Sequence, residues 1–375
     1  MIFSHRMLLI IICIIPLSIF GQKPNIQGSD YLFTPVVTLG ATDVKNQSKS
    51  NTCWSYATNS FLESELIRMG KTDIDLSELF IVRNMYVEKA DKFVRMMGKT
   101  QFAAGGQAHD VMHAIKTYGI VPQSVYAGQQ PLFNHMAWDD SLRAYLDTLV
   151  KLPDGRLNLT WKSQFLQKLD VFTGVAPTQF VYKGQPFTPL SFAVELGIKP
   201  DDYVEIGSFT HHPFYQPFVI ECPDNWAWTP IYNVPLADME AITDYALARG
   251  FTVNWDADVS EKYFSHKNGI AIVPKNIEDL TFKKPMEEAS ITPELRQSAF
   301  DDLTTQDDHL MHIVGVSKDQ TGKKFYNVKN SWGMERNECG GYLYVSKAYF
   351  NYKTIMIMVH KNAIPKRIAR KLGIK

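Results

Sequence analysis

One stretch constrains this chain more than any other: Gln47-Ser48-Lys49-Ser50-Asn51-Thr52-Cys53-Trp54-Ser55-Tyr56-Ala57. A polar loop runs straight into a helix, with a cysteine at the junction. Asn51 or Thr52 can supply the N-cap. From Cys53 onward the apolar residues fall on two stripes, one of Trp54, Ala57 and Phe61 and one of Leu62, Leu66 and Met69. Two stripes call for a helix buried on most of its surface, and Gly70 supplies its stop. A thiol in the first turn faces unpaired backbone N–H groups and the positive end of the helix dipole, which both favour thiolate. Gln47 can fold back over the helix start, so that its amide joins the Cys53 N–H as a pair of oxyanion donors. The plain alternative is a buried structural cysteine, since free Cys is among the most buried residue types.

The partners of such a thiol lie far downstream. Met311–Val316 and Phe325–Asn330 are β-type runs, and Asp319–Lys324 between them has turn chemistry. A hairpin folded about Thr321 sets His312 opposite Asn330 or one step off, with Cβ atoms about 5 Å apart. Asn330 can then hold one imidazole nitrogen and leave the other for a thiol. Ser331-Trp332-Gly333 follows at once, and the indole can shield the pair from water. A single His on a strand is more often a satisfied core residue, but a His facing an Asn in a chain with a helix-start Cys is seldom accidental.

These residues resemble the papain-like cysteine peptidases: Gln47 before Cys53-Trp54, His312 before Ile313-Val314-Gly315, and Asn330-Ser331-Trp332-Gly333. Within that superfamily the chain looks like the bleomycin hydrolase / aminopeptidase C branch. Asn46-Gln47, Gly105-Gly106-Gln107, Asn233-Val234-Pro235 and Asp308-His309-Leu310-Met311-His312 carry that narrower likeness. Cys53 and His312 stand 259 residues apart, against roughly 130–150 in ordinary papain-like enzymes, so a large insertion is required.

The resemblance implies an α+β, two-lobed papain-like fold, a helical lobe plus a β-barrel-like lobe, with the cleft between them. The expected division is a helical lobe over about 40–130, an insertion over about 130–250, a β-rich lobe over about 250–360 and a short basic tail, 361–375. In the implied mechanism Cys53 attacks as a thiolate and His312 pairs with it, then protonates the leaving amine. Asn330 orients His312, and Gln47 completes the oxyanion site. Gly105 and Gly106 would let the backbone approach an extended substrate, because glycine has no Cβ to obstruct a peptide. The implied substrates are peptides, cut with aminopeptidase action. No cofactor and no metal are expected, and the implied assembly is a homo-oligomer, a hexamer. In the family a longer C-terminal extension enters the cleft and sets the exopeptidase register. Here the tail is short, basic and ends in Lys375, which keeps endopeptidase action open. A catalytically inactive peptide-binding relative is the further alternative. A transglutaminase-type acyltransferase would carry Asp where Asn330 stands.

The rest of the chain bounds the setting. His5 and Arg6 precede the thirteen mostly apolar residues Leu8–Phe20. That run is too short to span a bilayer and reads as an export signal over residues 1–21, giving a periplasmic or extracellular protein, with an uncleaved anchor as the lesser alternative. Charges balance at 39 basic and 39 acidic residues, which speaks for no nucleic-acid partner. Past the signal, Cys53, Cys222 and Cys339 form an odd set, satisfied by a Cys222–Cys339 bridge with Cys53 free or by three thiols. His211-His212 before Pro213 reads as a surface turn rather than a ligand pair. Residues 203–232, dense in aromatics and proline, read as a packed irregular segment. In the tail, Ile364, Ile368 and Leu372 share one helical face, as a partly docked helix would.

Overall fold

The computed structural model describes residues 21–128, 135–151 and 155–375. The segment expected to direct export lies, up to residue 20, outside the described residues. Six helices gather in the first half: α1 (Cys53–Arg68), α2 (Glu78–Arg95), α3 (Ala108–Tyr118), α4 (His135–Val150), α5 (Trp161–Thr173) and α6 (Pro189–Leu196). They bury one continuous core that includes Trp54, Phe61, Met85, Phe93, Ile115, Leu142 and Phe165. α1 is buried nearly all round, as its two stripes require. It ends at Arg68, and Gly70 then takes φ +80°.

The other lobe is built on one eleven-stranded sheet. Its strands are β1 (Thr34–Thr38), β4 (Tyr203–Gly207), β5 (Pro217–Val219), β6 (Pro230–Asn233), β7 (Val253–Ala257), β8 (Phe264–Ser265), β9 (Ile270–Ala271), β10 (His309–Lys318), β11 (Lys324–Lys329), β12 (Tyr342–Ser346) and β13 (Thr354–His360). A separate hairpin, β2 (Phe180–Tyr182) with β3 (Gln185–Phe187), sits apart from it. α7 (Leu236–Ala248), α8 (Pro293–Asp301), α9 (Lys347–Lys353) and α10 (Lys366–Lys371) complete the chain.

The residues expected as one insertion divide between the lobes. α4 to α6 join the helical core, whereas β4 to β6 extend the sheet through β13. The stretch read as irregular therefore carries three short strands. The tail is firmly docked, with Ile364, Ile368 and Leu372 buried in the sheet-lobe core.

β10 joins the two cores: Leu310 packs with the helices, while Met311, Ile313 and Val316 pack beneath the sheet. β1 pairs antiparallel with β10, so the start of the described chain belongs to the sheet lobe. α1 lies against β7 and β10, where Asn254 Nδ2 donates to Thr58 Oγ1 (2.8 Å).

Candidate active site

The helix start is built to leave donors free. Thr52 is the N-cap of α1, yet its side chain caps nothing, and its hydroxyl donates to Ser50 Oγ (2.7 Å). The first-turn N–H groups are thus not consumed by a side-chain cap. Ser48 and Asn51 take left-handed backbone (φ +54° and +51°) as the loop folds down onto Cys53. That loop is held by the Asn330-Ser331-Trp332-Gly333 segment: Asn46 bridges Trp332, and Gln47 N–H donates to Ser331 O (2.8 Å). Ser331 Oγ donates to Gln47 Oε1 (2.6 Å), which fixes the amide. Among the described residues nothing accepts from Gln47 Nε2, which stays available as a donor.

The hairpin corrects one expectation. From Lys318↔Lys324 to Gly315↔Asn327 the register is the one centred on Thr321. A bulge at Val314 then shifts it, so His312 pairs with Lys329. One step of register moves a side chain to the other face of the sheet. His312 therefore does not meet Asn330. It faces α1, where its Nδ1 accepts from Ser60 Oγ (2.9 Å) and Lys329 Nζ donates to the same hydroxyl (2.8 Å). Ser60 is seven residues beyond Cys53, about 10 Å further along the helix axis. His312 is 1% exposed, and burial, aided by Lys329, holds its imidazole well below the usual range.

Asn330 instead meets His309, whose Nε2–H donates to Asn330 Oδ1 (2.8 Å). His309 and His312, three apart on a strand, present opposite faces. Ser331 N–H also donates to Asn330 Oδ1 (2.7 Å), and Asn330 Nδ2 donates to His266 Nδ1 (3.2 Å). Three neighbours thus fix the Asn330 amide, and Nδ1 is the His309 nitrogen left open. Trp332 stacks on His309 (centroids 4.7 Å, 29° between planes) and meets His266 edge-on (4.9 Å). The Leu310 backbone N–H donates toward the Cys53 thiol, so the thiol meets the residue that follows His309.

Burial pushes the Cys53 thiol up, and Asp224, Asp256 and Asp307 push it the same way, against the Leu310 N–H. Burial takes His309 down to about 4, with His266 reinforcing and the Asn330 bond opposing. Burial therefore opposes charge on both groups, against the helix-start field that favours the thiolate.

Gly105 and Gly106 lie beside this centre. A Cβ on Gly106 would stand 2.7 Å from Asp110 Oδ2 and 3.0 Å from Trp54, whose indole donates to Ala104 O (2.8 Å). A Cβ on Gly105 would fall 2.1 Å from Asp224 Oδ2. Buried Lys89 supports this loop from beneath, donating to Ala103 O (2.9 Å) and to Gly105 O.

Cys222 and Cys339 are free thiols, so no bridge joins them. His211 and His212 sit on a turn with their Nε2 atoms 3.7 and 3.6 Å from the Glu221 carboxylate. No described helix is long and apolar enough to cross a membrane.

Sequence reading missed His309, His266 and Lys89. The available signal was Gly315, since a glycine inside a strand marks a bulge or a close backbone approach. A Cβ there would lie 2.2 Å from Val37 O of β1.

A helix-start cysteine that meets the strand bearing a His–Asn pair, between a helical and a sheet lobe, defines a papain-like cysteine peptidase. The chain belongs to the Peptidase C1-like family, whose description matches residues 178–374, just over half of its length. It is 24% identical over 402 residues to Cysteine proteinase 1, mitochondrial, of Saccharomyces cerevisiae, covering 93% of this chain and 81% of that one. It is also 24% identical to Aminopeptidase C of Streptococcus thermophilus over 383 residues, 89% and 83% of the two chains. The fold matches the crystal structure of PepW from Lactobacillus rhamnosis with a TM-score of 0.73 at 22% identity, over 91% of this chain and 84% of the other.

Proposed function

We propose that this peptidase removes residues from free peptide N-termini, with Cys53 as nucleophile, His309 as proton carrier, Asn330 as its orienter, and Gln47 and the Cys53 N–H as oxyanion donors. The observation that carries the assignment is the 2.8 Å bond from His309 Nε2 to Asn330 Oδ1 beneath Trp332, which leaves Nδ1 to take a proton. As the C–S bond forms, the Sγ proton passes to Nδ1 and the carbonyl electrons move onto the oxygen, stabilised by the two donors. Collapse breaks the C–N bond, and His309 returns the proton to the departing amine. Water then releases the acyl group by the same route. Exopeptidase action is supported by relatives named aminopeptidase C, E and G.

The endopeptidase reading draws on the tail. Lys375 lines a recess with His109, Tyr203, Glu205 and Lys361, none of which touches Cys53. Mass analysis of products from one unmodified peptide separates the two readings. Stepwise loss of single N-terminal residues supports the first, and internal fragments appearing first would overturn it. Cys53→Ala should abolish either activity while leaving the fold intact. Export rests on residues 1–21, and its test is the N-terminus of the protein recovered from its native host, expected at Gln22.

A further inference from the structure

Three carboxylates converge on the nucleophile from separate segments. Asp224, Asp256 and Asp307 all act on the Cys53 thiol through their charge. No described lysine or arginine forms an ion pair with any of them. Lys89 acts on Asp224 through its charge, but its ammonium is committed to the carbonyls of Ala103 and Gly105. Asp256 is 1% exposed, and neither of its carboxylate oxygens meets a donor other than a proton shared with Asp307. A buried acid with no donor is costly unless something brings a positive charge to it. Proton retention shows the same deficit: burial and Asp224 hold the Asp307 carboxyl up at about 7, and Asp256 is raised well above the carboxylate range.

Asp224 stands against Gly105. Its carboxylate presses on Gly105, where an added Cβ would come within 2.1 and 2.3 Å of its two oxygens. Gln101 Nε2 donates to Oδ1 (2.7 Å) and holds it there. An extended chain running along the glycines meets this carboxylate where its own backbone would have to continue. A free N-terminus ends at that point and carries one positive charge, with up to three hydrogens to donate.

Resting on the aminopeptidase reading, we propose that Asp224 is the acceptor for the substrate's α-ammonium. In this chain an acid of the β5–β6 loop stops the peptide and fixes the register of cleavage. Bound cation also neutralises charge that opposes thiolate formation at Cys53, so a correct substrate eases ionisation of the nucleophile.

The test compares aminoacyl and N-acetyl-aminoacyl fluorogenic amides on the full chain and its Asp224→Asn and Asp224→Glu variants, each normalised to the Cys53 titre obtained by alkylation. In the wild type, acetylation should lower kcat/KM at least 100-fold. Asp224→Asn should reduce that preference to less than tenfold through loss of the free-amine substrate, mainly in KM, with Asp224→Glu partly restoring it. If the wild type demands a free amine and Asp224→Asn still does, the assignment of Asp224 falls while the aminopeptidase reading stands. If the wild type cuts both substrates equally, that reading fails first and takes the proposal with it. Equal losses on both substrates at full thiol titre would mark Asp224 as structural and overturn the proposal.

Discussion

Two histidines three residues apart make opposite predictions. His309→Ala removes the imidazole that Asn330 and Trp332 hold. General acid–base catalysis contributes about 10²–10⁴-fold, and the same group acts in both half-reactions, so kcat should fall about 10³-fold or more. Folding should suffer little, because the exchange removes a side chain without stranding a buried charge. His312→Gln acts on a different site. Gln can still accept the Ser60 hydroxyl proton, and Lys329 keeps its own bond to Ser60 (2.8 Å). The misfit of a longer amide in a closed space should cost about 1–3 kcal/mol of stability. With about 10 Å of helix between Ser60 and Cys53, kcat should stay within roughly threefold of wild type. The assays are kcat and KM on one fluorogenic amide, alkylation titre of Cys53, and urea unfolding. A His312→Gln protein with full thiol titre and a 10³-fold lower kcat would refute this reasoning. So would a His309→Ala protein that keeps a tenth of wild-type turnover.

Three more predictions use the same instruments. Gln47→Ala should lower kcat by about 10²–10³ with KM nearly unchanged, the loss expected for one oxyanion donor; an unchanged kcat would leave Gln47 only its tie to Ser331. Asp307 retains its proton up to about 7 in the fold but loses it at the ordinary carboxylate value when unfolded. The native form therefore binds the extra proton between those values, and stability drains as pH rises through that window. Asp307→Asn can still accept the bond that Gln107 Nε2 donates to Asp307 Oδ2 (2.6 Å) and can donate to Asp256, so its melting temperature should exceed wild type at pH 8 and converge with it near pH 4; a gap independent of pH would contradict the sign. Deleting residues 362–375 strips Ile364, Ile368 and Leu372 from the sheet-lobe core. At about 1.5–3 kcal/mol for each buried side chain, the loss should be about 5 kcal/mol or more in urea unfolding, with the free-amine preference retained; loss of that preference in still-folded enzyme would return the tail to the cleft.

What the sequence revealed follows a physical divide. Where structure is set by local periodicity it was legible: the helix that starts at Cys53 ends at Arg68, just before the Gly70 expected to stop it. Cys53 at a helix start and Gln47 on its approach loop belong to the same class, as does the hairpin turn at Asp319–Lys324. The error at His312 arose from one extra residue in a strand, since Val314 bulges where Gly315 lets β1 come close. Alternation within the strand was read correctly up to that residue and inverted beyond it. β4 to β6 were opaque because strands of three to five residues, rich in proline and aromatics, carry too short a pattern. Their pairing, parallel between β4 and β6, is decided by distant segments. Asp224, Asp256 and Asp307 have no shared motif, and only the closed fold brings them to one thiol.

The pairing of β1 with β10 has a further consequence for how the enzyme comes into being. Cys53 is synthesised 256 residues before His309, an interval of about 13–50 s at ordinary elongation rates of about 5–20 residues per second. During that time the helical lobe can collapse around its own core, but β1 has no partner and the loop bearing Gln47 has no Ser331 to rest on. Every chain interrupted in that interval carries Cys53 without His309 or Asn330. The same strand order that closes the sheet therefore acts as a timer, and the proposed catalytic set is complete only once β10 and Asn330 have been made.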